Sequence, residues 1–171
     1  MVLDEASRGD ILRYCNIPIV DKLSLKEQTK FDLGRVEYQI LMEQKLINSS
    51  GKDFVIIDKS VPCLLLYVLL YASRYVHSST INALVDEVSS HCNQMYDLVA
   101  YLPFLNFNTS DDGLNRNVTN IHVLEAQDVV LRHMIGKMTL SDFIVLRNDS
   151  RRARERHVLQ RIEASDVVYH N

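Results

Sequence analysis

Apolar positions along this chain form two kinds of run. Between residues 24 and 46 they recur at helical spacing, where Phe31, Val36, Ile40, Leu41 and Leu46 follow one another in steps that fit one helix face. Ser24-Leu25-Lys26-Glu27 has the form of a capping box, in which the Ser24 hydroxyl and the Glu27 carboxylate satisfy each other's backbone N–H groups at a helix start. Asn48-Ser49-Ser50-Gly51 ends that helix. The second kind of run is continuous and partly β-branched. Phe54 to Ile57 stops at Asp58, Tyr96 to Leu102 stops at Pro103, and Phe143 to Leu146 forms a third such run; these spacings predict parallel strands buried on both faces.

Between these runs the pattern returns to helix. Ser60 as N-cap with Pro62 in the first turn opens a helix that reaches Tyr71. Ser79 to Gln94 forms another, with Ile81, Leu84, Val85, Val88 and Cys92 inward, and Val123 to Met134 and Ser150 to Ala164 form two more. Val2-Leu3 reads as the tail of a short strand whose carboxylates, Asp4 and Glu5, emerge at its C-terminal edge. Alternating strands and helices with near-continuous apolar strands predict an α/β fold, a three-layer parallel sheet with helices on both faces.

Composition narrows the class. The chain has 171 residues, 47% of them hydrophobic and 24% charged, which suits one domain with one core and predicts neither disorder nor a fibre. A formal net charge of -3 provides no global attraction to nucleic acid or to an anionic membrane. Cys15, Cys63 and Cys92 lie far apart without CxxC spacing, so they read as reduced, mostly buried thiols. The six histidines show no HExxH or other paired ligand spacing, which speaks against a histidine-bound metal. The apolar run from Val61 to Ala72 contains Pro62 and falls short of the roughly 20 residues a bilayer span needs, so it predicts a buried core helix. Met1 to Asp10 has no targeting pattern, and a cytoplasmic location is expected.

Five segments in this order carry a resemblance: Glu5-Ala6-Ser7-Arg8 after the first strand, Ile17-Pro18-Ile19 before the capping box, Phe54 to Ser60 ending in Asp58-Lys59-Ser60, Tyr96 to Pro103, and Asp111-Asp112-Gly113-Leu114. Together they resemble P-loop ATPases and kinases of the AAA type, related to nicotinamide-riboside and deoxynucleotide kinases. The resemblance implies a single kinase-like domain over residues 1–171 with a lid-like loop at 106–120. It also implies that the complete form binds ATP and Mg²⁺ and transfers phosphate to a nucleoside, nucleotide or similar acceptor. In that family a strand, a GxxxxGK[ST] loop and a helix precede the segment matching Glu5, and this sequence begins after them. The loop's amides cradle the phosphates and its lysine and hydroxyl hold phosphate and Mg²⁺, so neither turnover nor cofactor binding is expected from this chain by itself. Gly136-Lys137-Met138-Thr139 does not replace it, because Met138 stands where Ser or Thr is required.

The resemblance assigns Asp58 a Mg²⁺- or substrate-orienting role, with Lys59 facing phosphate in place of the family's arginine; the alternative is that Asp58 caps the following helix. Glu5 matches the carboxylate that meets the acceptor, and Arg8 the arginine beside it, against a plain solvated strand end. Arg116, with Asp111 and Asp112, falls in the lid-like loop, where a solvated Asp-Asp-Gly turn is the other reading. Arg151, Arg152, Arg154, Arg156 and Arg161 suggest an anion-binding surface or, with Glu155 and Glu163 interleaved, a solvated helix face. A rival function is a non-catalytic interaction or regulatory module that keeps the fold. Loss of a central strand would leave exposed edges that invite self-association or a protein partner's strand.

Overall fold

A capping box starts the longest element. In the computed structural model, which describes residues 2–3, 8–19, 22–51, 55–103, 121–138, 143–146 and 150–169, the Glu27 backbone N–H donates to Ser24 Oγ at 3.4 Å and the Ser24 N–H donates to Glu27 Oε2 at 2.9 Å. Helix α2, Leu25–Ser50, follows and ends on Gly51 in the left-handed region at φ 53, which glycine adopts at no steric cost. The chain divides into two compact units, Met1–Met95 and Tyr96–Asn171.

In the first unit α2 packs against the short helix α1, Arg8–Tyr14, and against α3, Val61–Tyr67, and α4, Ser78–Met95. Phe31, Val36 and Ile40 of α2 are buried with Ile11 and Leu12 of α1, Leu64 and Leu65 of α3, and Leu84 and Val88 of α4, each fully buried aliphatic contributing about 1.5–3 kcal/mol. Leu41 departs from the expected stripe and is half exposed, whereas Gly34, Gln39 and Glu43 are buried. Beyond α3 the chain widens into a π-helical turn, Val68–Ala72, and tightens into a 3-10 turn, Ser73–Tyr75. Strand β1, Val2–Leu3, pairs in parallel with β2, Ile56–Ile57.

The second unit contains β3, Val99–Tyr101, and β4, Phe143–Val145, also parallel, with α5, Ile121–Lys137, and α6, Arg151–Tyr169. Tyr101 fastens α5: its hydroxyl donates to the Asp128 carboxylate, Arg132 Nη2 donates to Asp128 Oδ2 at 3.1 Å, and the Arg132 guanidinium lies 5.7 Å above the Tyr101 ring. Burial, followed by the Asp128 carboxylate, pushes the Tyr101 hydroxyl up to about 12. A phenol held above its unfolded value near 10 stabilises the folded state below pH 10, and that contribution is lost as pH rises from about 10 to about 12, because the unfolded chain sheds the proton first. Tyr101→Phe should therefore flatten the alkaline limb of the stability curve over that window, as read by urea unfolding at a series of pH values.

The expected three-layer parallel sheet is not what forms. Among the described residues the strands make two separate two-stranded sheets, β1-β2 and β3-β4, and helix dominates. Parallel direction holds within each pair, but β2 does not share a sheet with β3 and β4. The strands also lack two-sided cover, since Ile56 is 62% and Val145 40% exposed. The physical reason is that a short apolar run does not distinguish strand from helix. The run 61–72 spends its hydrophobicity on helix, and the run ending at Ile57 yields only two paired residues among those described.

Candidate functional site

Register places the chemistry. Val2 lies opposite Ile56 and Leu3 opposite Ile57 in a parallel ladder, so the chain leaves both strands at one edge, and Asp58 and Lys59 are the residues that emerge from β2. Both are exposed. Lys59 is held at φ 52, in the left-handed region that a non-glycine residue rarely occupies. Ser60 follows as N-cap of α3, with no side-chain cap bond, and Pro62 stands in the first turn. Beneath them the half-buried Cys63 thiol is pushed up by burial and by the Asp58 charge, while a hydrogen bond with Ser60 pulls it down. Asp58 is therefore a solvated carboxylate at the C-terminal end of a two-residue parallel strand.

The other expected site residues do not gather there among the described residues. Arg8 opens α1 and sets its guanidinium 5.6 Å above the Phe31 ring. Glu5, Arg116 and the lid-like loop 106–120 lie outside the described residues, as do Asp111 and Asp112. Gly136 and Lys137 sit in the last turn of α5, where successive backbone N–H groups point along the helix and form no phosphate cradle. No group of three or more His, Cys, Asp or Glu side chains able to hold a metal occurs among the described residues. Asp58 alone therefore fits Mg²⁺ only as one ligand of an ion carried in by phosphates.

Comparison with protein-family models, with curated proteins and with solved structures gives no match. No helix among the described residues is long and apolar enough to cross a membrane.

Two constellations escaped the sequence reading. The first is a buried polar network in the middle of the first unit. His91 Nε2 donates to Glu43 Oε2 at 2.7 Å, and Gln39 Nε2 donates to Glu43 Oε1 at 3.1 Å. The His91 and Glu43 side chains are 2% and 0% exposed. Next to His91 in sequence, the Cys92 thiol is pushed up to about 12 by burial and then by the Glu43 charge, which makes it a packed thiol rather than a nucleophile. All three cysteines are free, Cys15 and Cys92 buried and Cys63 half-buried. A signal for the network was present: Gln39 and Glu43 stand three and seven residues after Val36, in phase with the buried face of α2. The second constellation is aromatic. Tyr67, Leu70, Tyr71 and Tyr75 remain on the outer side of the α3 region, each between 38% and 48% exposed.

Proposed function

We propose that this chain carries the acceptor side of a nucleotide-kinase-like site, and that it neither binds ATP with Mg²⁺ nor transfers phosphate by itself. The observation that carries the reading is the Asp58-Lys59 pair at the carboxyl edge of β2, with Lys59 in a strained backbone conformation. Such outliers concentrate where a site over-determines the chain. In this role Asp58 accepts a hydrogen bond from an acceptor hydroxyl and the Lys59 ammonium faces an anionic oxygen. A nucleoside monophosphate supplies both groups.

The test is a titration with deoxythymidine monophosphate followed by amide shifts. Perturbations should centre on residues 56–60, and Asp58→Asn and Lys59→Ala should each weaken binding by about tenfold, the equivalent of one charged contact of roughly 1.4 kcal/mol. Arg152→Ala should leave it unchanged. Shifts centred elsewhere, or binding indifferent to Asp58→Asn, would overturn the reading. ATP hydrolysis should stay at background, because loss of even one preorganised donor costs about 100- to 1000-fold in rate; robust hydrolysis that disappears in Asp58→Asn would show the chain to be complete for chemistry. A second reading, an interaction module, is favoured by the exposed tyrosines.

A further inference from the structure

We draw no further inference here: the strongest candidate, the apolar face that Tyr67, Leu70, Tyr71 and Tyr75 expose on the outer side of the α3 region, carries nothing because nothing in the structure shows what covers it.

Discussion

Replacing Glu43 by alanine should lower the unfolding free energy of the first unit by about 2–6 kcal/mol, because two buried polar groups lose their acceptor at about 1–3 kcal/mol each. Against a total stability of about 5–15 kcal/mol for a domain, this approaches loss of the fold. The cause lies in what remains behind. His91 sits 2.7 Å from the missing carboxylate with its side chain 2% exposed, and the Gln39 amide, 3.1 Å from the other oxygen, loses that acceptor. Neither can turn to water without opening the contact between α2 and α4. The informative control replaces the three side chains together: Gln39→Leu, Glu43→Met and His91→Leu remove the donors and acceptors of both hydrogen bonds and keep roughly the volume, which is often neutral or stabilising. Urea unfolding followed by circular dichroism should show the single variant severely destabilised and the triple variant close to the parent. A mild effect of Glu43→Ala would mean that water reaches this core.

The second large effect is expected at Gly34. A Cβ there would fall 2.1 Å from Cys15 Sγ, far inside contact distance, and Cys15 belongs to a buried cluster with Ile11, Leu12, Ile17 and Phe31 that leaves it little room to move. Gly34→Ala should therefore destabilise by about 1–3 kcal/mol through overpacking, even though alanine gains up to about 1 kcal/mol in helix propensity. Cys15→Ala separates the two terms. It removes the sulfur and leaves the Cys15 Cβ 3.8 Å from the new methyl, an ordinary contact. The Gly34→Ala, Cys15→Ala double variant should thus be more stable than Cys15→Ala alone, a reversal of sign in the cycle. Additive losses would show that α1 and α2 do not pack at this distance.

Local chemistry was legible in the sequence wherever neighbours in the chain decide it. The Ser24-Glu27 box, the Gly51 terminus, Pro62 in the first turn of α3 and the helical spans all follow from hydrogen bonds and torsions within a few residues. So did the emergence of Asp58 from a strand end. The sheet order did not, because a run such as Phe54 to Ile57 is equally apolar in a wide sheet or a two-stranded one.

What only the tertiary structure decided lies at positions where residue type and environment disagree. Glu43 and His91 read as surface residues by type and are buried because each is the other's partner across 48 positions of sequence. Gly34 reads as a flaw in a helix and is instead the place where α1 comes close enough to bring Cys15 against the backbone. Tyr67 and Tyr71 belong to a run that reads as a buried core helix, and the structure leaves them 40% and 44% exposed. Pattern reports which side chains prefer to leave water; which of them find cover depends on contacts between segments distant in the chain, and those are set by the packing of the whole unit.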